Sequence, residues 1–94
     1  MKTEMDIQIA VIGLGYVGLP LAAAFAQYYS VVGFDIDARR ITELVNGRDR
    51  TNELSTDEIA TAVAYGIRYT SNPDVLRDCN VFVVTVPTPI DEHR

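Results

Sequence analysis

Residues 7–18 read Ile-Gln-Ile-Ala-Val-Ile-Gly-Leu-Gly-Tyr-Val-Gly, a mostly apolar run that passes straight into Gly13-x-Gly15-x-x-Gly18. Near-continuous apolarity fits a central parallel strand covered on both faces, with Gln8 the one interruption. About twenty residues beyond the middle glycine, a second apolar run, Val31-Val32-Gly33-Phe34, ends in Asp35. Strand, glycine turn, helix, strand and acid, in that order, are what a chain needs to hold the pyrophosphate and adenosine ribose of a dinucleotide. A glycine triplet alone is a weak sign, and its plain reading is a tight turn that happens to be glycine-rich. The flanking strand, the following helix and the distant acid make this one specific.

Each residue of the motif has a physical task. Gly13 permits the tight turn leaving the first strand, Gly15 lets backbone approach the pyrophosphate, and Gly18 allows close helix–strand packing. The amides of Tyr16, Val17 and Gly18 open a helix, so their N–H groups and the positive end of its dipole face negative charge. Asp35 is placed to accept hydrogen bonds from the ribose hydroxyls and to repel a 2′-phosphate, which favours NAD over NADP. Arg39 and Arg40 complicate that preference, since a nearby arginine can accommodate the phosphate. Either the two arginines lie on a solvated helix face, or Arg40 covers the adenine or ribose side of the site.

The rest of the chain continues the alternation. The first helix starts after Gly18 with Leu19-Pro20, where proline's missing N–H costs nothing, and is rich in alanine. The second strand spans about Ser30–Phe34. Asp37 is a fitting N-cap for a helix over Ala38–Val45 with Ile41, Leu44 and Val45 as its buried stripe, and Asn46-Gly47 ends it. A polar loop, 48–54, leads to Ser55-Thr56-Asp57-Glu58, a capping-box pattern opening a helix to about Tyr65. Ile67–Thr70 reads as a third strand, Asn72-Pro73 opens a short helical segment, and Asn80–Val86 is a β-branched fourth strand stopped by Pro87-Thr88-Pro89. The fold class is therefore α/β, a partial Rossmann (doubly wound parallel) sheet with expected strand order 3-2-1-4. The end of the fourth strand then lies across the topological switch point from the first, so Val86 and Thr88 border the ligand crevice.

Composition narrows the partners. A chain of 94 residues is one domain at most, and a net charge of −5 argues against a nucleic-acid or anionic-membrane surface. No apolar stretch approaches the ~20 residues of a membrane span, no signal peptide opens the chain, and the cytoplasm is the default location. Cys79, the single cysteine, cannot form an internal disulfide and lies just before the fourth strand, the wrong end for the crevice. It reads as a small, partly buried residue rather than a nucleophile. Tyr28 and Tyr29 read as cover for the sheet edge, and Glu53 as a solvated loop residue or a neighbour of the adenosine side. No metal-ligand spacing is present.

Gly-Leu-Gly-Tyr-Val-Gly-Leu-Pro-Leu-Ala at 13–22, Val-Gly-Phe-Asp-Ile at 32–36, Arg40-Ile41 and Val-Thr-Val-Pro-Thr-Pro-Ile at 84–90 together resemble the start of the UDP-glucose/GDP-mannose dehydrogenase family. The wording is most similar to the branch acting on UDP-N-acetylhexosamines, which includes the Vi-polysaccharide and capsule enzymes. The resemblance implies NAD-dependent oxidation of the C6 alcohol of a UDP-sugar to a carboxylate, for polysaccharide biosynthesis, by a homo-oligomer. It implies cofactor contacts at Gly13, Gly15, Tyr16, Val17, Gly18, Asp35, Arg40, Val86 and Thr88.

It also implies that the catalytic cysteine and its lysine, asparagine and glutamate partners lie downstream, so residues 1–94 are the first portion of an NAD domain and are inactive alone. The remainder of that domain, a central helix and a UDP-sugar domain are missing from this stretch. The fourth strand is then a bare apolar edge through which the chain is expected to self-associate. Two other readings stand beside this one: the front of another hydroxyacid or sugar-phosphate dehydrogenase, and a dinucleotide-binding module without catalysis.

Overall fold

The computed structural model describes residues 7–85. Strand β1 (Gln8–Ile12) lies inside a four-stranded sheet, flanked by β2 (Ser30–Phe34) and β4 (Val81–Val84), with β3 (Arg68–Thr70) outside β2. All three pairings are parallel, and the order is β3-β2-β1-β4 as expected. Register brings Ile12 opposite both Phe34 and Val84, so the carboxyl ends of β1, β2 and β4 align along one rim of the sheet. The reversal of strand order at β1 puts the switch point between β1 and β4 at that rim.

Side-chain alternation divides the core between the two faces. Ile9, Val11 and Val31 pack with Leu19 and Ala22 of helix α1 (Gly18–Ala26), Leu44 of α2 (Ala38–Val45) and Ile59 and Ala62 of α3 (Thr56–Ala64). Ala10 and Val32 face the other way, onto Cys79 and a 3-10 helix, Pro73–Asp78, that contributes Val75 and Leu76. Both faces of β1 and β2 are covered, which is why their sequences show little polar alternation.

The expected caps are present. The Asp37 carboxylate accepts from the Arg39 amide at 3.0 Å, Ser55 and Glu58 form a reciprocal capping box, and Asn72 caps the 3-10 segment. Gly47 and Gly66 close α2 and α3 in the left-handed region, at φ +83° and +103°.

Two expectations about burial fail. Val45 is 66% exposed, and the inward positions of α2 are Arg40, Ile41 and Leu44. Residues three and four apart share a helix face, and the face carrying Leu44 also carries Arg40, an arginine that composition assigns to water. Tyr28 does not cover the sheet edge either: it is exposed at the end of α1, edge-on to Tyr29, whose ring in turn meets Phe25.

Arg40 is buried because its guanidinium is matched. Nη1 lies 2.9 Å from Glu43 and Nη2 3.0 Å from Asp49, as an ion pair without hydrogen-bond geometry. Asp49 in turn organises the loop: Oδ1 accepts from the Thr51 amide and hydroxyl, and Oδ2 from the amides of Glu53 and Leu54. Burial opposes ionisation of Asp49, but these bonds and Arg40 outweigh it and bring its pKa down to about 2 from 3.8. A lowered carboxyl pKa contributes stability above the unfolded value and loses it as pH falls through the folded one, about 2 kcal/mol here. Asp49→Ala is therefore expected to cost about 3–5 kcal/mol at pH 7, by leaving Arg40 buried and half-paired. In urea titrations, the stability gap between wild type and Asp49→Asn should narrow as pH falls from about 4 to about 2. A gap that is flat across that window contradicts this assignment.

Candidate dinucleotide site

The turn leaving β1 is held from two sides. The Gly13 amide donates to the Phe34 carbonyl at 2.8 Å, and the Thr85 hydroxyl donates to the Gly13 carbonyl at 2.7 Å. Gly13 itself sits at φ +99°, a conformation in which glycine carries no steric penalty. Gly18 then meets this turn directly. A Cβ on Gly18 would lie 1.7 Å from the Gly13 carbonyl oxygen and 2.3 Å from Thr85 Oγ1, so no side chain fits there. Gly15 differs from both: its φ is not in the left-handed region, and a Cβ there would meet nothing within 4 Å. Among the described residues no contact requires a glycine at 15, and the missing side chain leaves the half-buried backbone accessible at the mouth of the turn.

The helix that follows starts without a side-chain cap. Its ladder begins with Leu19 N–H to Gly15 O and Leu21 N–H to Val17 O, each 3.2 Å, so the amides of Gly15, Tyr16, Val17 and Gly18 precede the first helical bond. Val17 stands at the N-cap and has no oxygen to offer, whereas Asp37 and Ser55 cap α2 and α3. The side chains of Tyr16 and Val17 point outward, 71% and 64% exposed. Amides at a helix start, with no internal acceptor, form an anion-binding cradle that needs no lysine or arginine.

Asp35 stands at the end of β2, beside the same turn. Its Oδ2 accepts from the Leu14 amide and its Oδ1 from the Asp37 amide, both at 2.9 Å. Two backbone donors thus fix the carboxylate, and each oxygen keeps a lone pair for an incoming hydroxyl. A cleft of about 220 Å³ lies between Gly15, Asp35, Asp37, Arg50 and Thr51, floored by Leu14 and Arg40. A larger recess of about 370 Å³ between α1 and α3 holds neither the amides nor Asp35, and Glu53 stands on its wall rather than in the cleft.

The two arginines left open by the sequence separate. Arg39 is solvated, with its side chain 90% exposed. Arg40 lies beneath the cleft, and its Nε donates to the Leu14 carbonyl at 2.7 Å, so it braces the glycine turn from below. Cys79 is buried, which raises its thiol pKa, and lies near the amino end of β4, away from the glycine turn. Val86 and Thr88 lie outside the described residues. Thr85, just before them and directly after β4, touches the turn, and sequence reasoning passed over it because threonine is ordinary in a β-rich strand. Asp49 carried a fainter signal, the Asx-turn chemistry of an aspartate in a polar loop. Among the described residues no group of three acids, histidines or cysteines could hold a metal ion, and no helix is long and apolar enough to cross a membrane.

A parallel sheet of order 3-2-1-4, an uncapped helix start at the switch point and a fixed acid after β2 define the front of a dinucleotide-binding domain. Residues 7–94 match the UDP-glucose/GDP-mannose dehydrogenase family, NAD binding domain, and the chain belongs to that family. It is 53% identical over 89 residues to a UDP-N-acetyl-D-glucosamine 6-dehydrogenase of Pseudomonas aeruginosa, covering 95% of this chain and 21% of that protein. It is 47% identical to the protein CapL of Staphylococcus aureus, over 96% of this chain and 20% of CapL. The structure of a UDP-D-ManNAc dehydrogenase from Pyrococcus horikoshii superposes with a TM-score of 0.82 at 35% identity, over 90% of this chain and 21% of that one. The chain spans about a fifth of the length of the curated relatives it matches.

The three glycines make separable predictions. Gly18→Ala should destabilise the chain by about 3 kcal/mol or more, because backbone rather than a flexible side chain blocks the methyl group. Gly15→Ala should leave urea stability within about 0.5 kcal/mol of wild type, yet weaken NAD binding about tenfold. Equal loss of stability in both variants contradicts the division of labour.

Proposed function

We propose that this chain is the adenosine- and pyrophosphate-holding front of an NAD-dependent nucleotide-sugar 6-dehydrogenase working in the cytoplasm. The parent activity is oxidation of the C6 alcohol of a UDP-N-acetylhexosamine to a carboxylate, supplying a uronic acid to capsule-type polysaccharide. Support for the substrate class comes from the UDP-N-acetyl-D-glucosamine and UDP-D-ManNAc dehydrogenases that the chain resembles. The observation that carries the cofactor role is the coincidence of uncapped amides, a side-chain-free Gly15 and a fixed Asp35 around one cleft.

The residues present divide the work of binding. Amides of Gly15–Gly18 take the pyrophosphate, Gly15 admits it, and Asp35 accepts from the ribose hydroxyls, with Arg40 holding the turn in place. Val86 and Thr88 are further cofactor contacts on the strength of the sequence resemblance alone. NAD, when bound, supplies the hydride acceptor for alcohol oxidation. Cys79 takes no part, being buried near the amino end of β4, so nucleophile, acid and base come from other parts of the parent protein.

Calorimetric titration tests the cofactor role. NAD and ADP-ribose should bind with similar affinity, since the contacts named here are to the adenosine diphosphate half, and NADP at least about tenfold more weakly. Absence of binding, or equal affinity for NADP, overturns the reading.

Self-association belongs to the same proposal. Strand β4 is outermost in the described sheet, with Phe82 53% and Val84 63% exposed, and an apolar edge of this kind accepts another strand. Light scattering of the chain at high concentration should show a dimer or larger species, reduced by Phe82→Lys. A monomer at all concentrations contradicts it.

A further inference from the structure

The cleft floor and wall hold two arginines, Arg40 and Arg50, close to where a ribose would sit, with Arg39 outside the lining, and each of the three has an acid nearby. Arg40 is taken by Glu43 and Asp49. Arg50 Nη2 lies 3.5 Å from Asp37 Oδ2, and its Nε 3.4 Å from Glu43. Arg39 Nε lies 3.7 Å from Asp37 Oδ1. With Asp35 included, four carboxylates face three guanidiniums. Asp37 is the acid shared by the two exposed arginines, Arg39 and Arg50, whose side chains are 90% and 57% exposed. Arg40 is too buried and too firmly bound to turn toward a ligand.

We infer that Asp37 is a second determinant of cofactor specificity, acting by engaging Arg50, the exposed arginine on the cleft wall, so that it is not free to receive a 2′-phosphate. The inference rests on the reading of the cleft as the adenosine ribose site. Asp35 excludes the phosphate by direct repulsion, and Asp37 removes the attraction that Arg50 would otherwise supply. Asp37 is a positioning residue in this scheme. Its amide supports Asp35 and its carboxylate caps α2. Asparagine retains both of those functions, because the amide is backbone and Asn caps helices as well as Asp. The negative charge alone is removed, and Arg50 keeps only its contact with Glu43. An arginine released beside a phosphate forms a charge-assisted, often bidentate pair.

The test compares NAD with NADP on the full chain by calorimetry, for wild type, Asp37→Asn and the double variant Asp37→Asn/Arg50→Gln. Asp37→Asn should bind NADP about tenfold more tightly than wild type, with NAD affinity changed less than about threefold. The gain should weaken at high salt and disappear in the double variant. General loosening of the site would lower both affinities, so a rise in NADP alone separates the charge effect from a structural one. An unchanged ratio in Asp37→Asn, or a gain that survives loss of Arg50, overturns the inference while leaving NAD binding by the wild type intact. Failure of wild type to bind NAD overturns the underlying reading and this inference with it.

Discussion

The first residue of α1 touches the turn that precedes it, and much of the site follows from that contact. Gly18 is pressed so closely on the Gly13 carbonyl that a Cβ would sit at 1.7 Å. The contact fixes where α1 begins, and with it where the uncapped amides lie. Thr85, just past the end of β4, closes the arrangement by donating to the same carbonyl oxygen. Strand pairing, turn and helix start are thus one object: β4 cannot shift in register without releasing the turn, and the turn cannot open without lifting α1 from the sheet.

Charge is arranged in layers around this object. The helix start presents N–H groups without side-chain acceptors, and Asp35 is pinned by two amides at the edge of the cleft. Beneath them Arg40, paired with Glu43 on its own helix, links the Leu14 carbonyl to Asp49 in the loop. A buried arginine is costly unless paired, so this link fixes the position of the 49–54 loop relative to the glycine turn. The loop brings Arg50 and Thr51 to the cleft wall, where Asp49 accepts from Thr51 and Glu43 accepts from the Arg50 amide at 3.2 Å.

Local signals were readable from the residues themselves. The bounds of β2 and α2, the Asp37 cap, the Ser55 capping box and the glycine stops all follow from turn and cap chemistry within a few residues. The strand order followed from the alternation of elements and the handedness of crossovers. What stayed hidden was pairing across the fold. Nothing near Arg40 says that an aspartate nine positions on will neutralise it, so periodicity alone gives Ile41, Leu44 and Val45 as the helix stripe, although Val45 faces solvent. Thr85 was invisible for the same reason, since its partner lies 72 residues away. The glycines were legible with their separate tasks, and the structure adds the distances: backbone excludes a side chain at Gly18, whereas no described residue lies within 4 Å of a Cβ at Gly15.

The central claim is that the backbone from Gly15 to Gly18 is a ready-made anion cradle beside Asp35. It is tested most directly by following the amide resonances of the chain while NAD is added. The account predicts saturable shifts concentrated at Gly15, Tyr16, Val17 and Gly18, with smaller ones at Leu14 and Asp35. Shifts that leave these amides still while others move would contradict it.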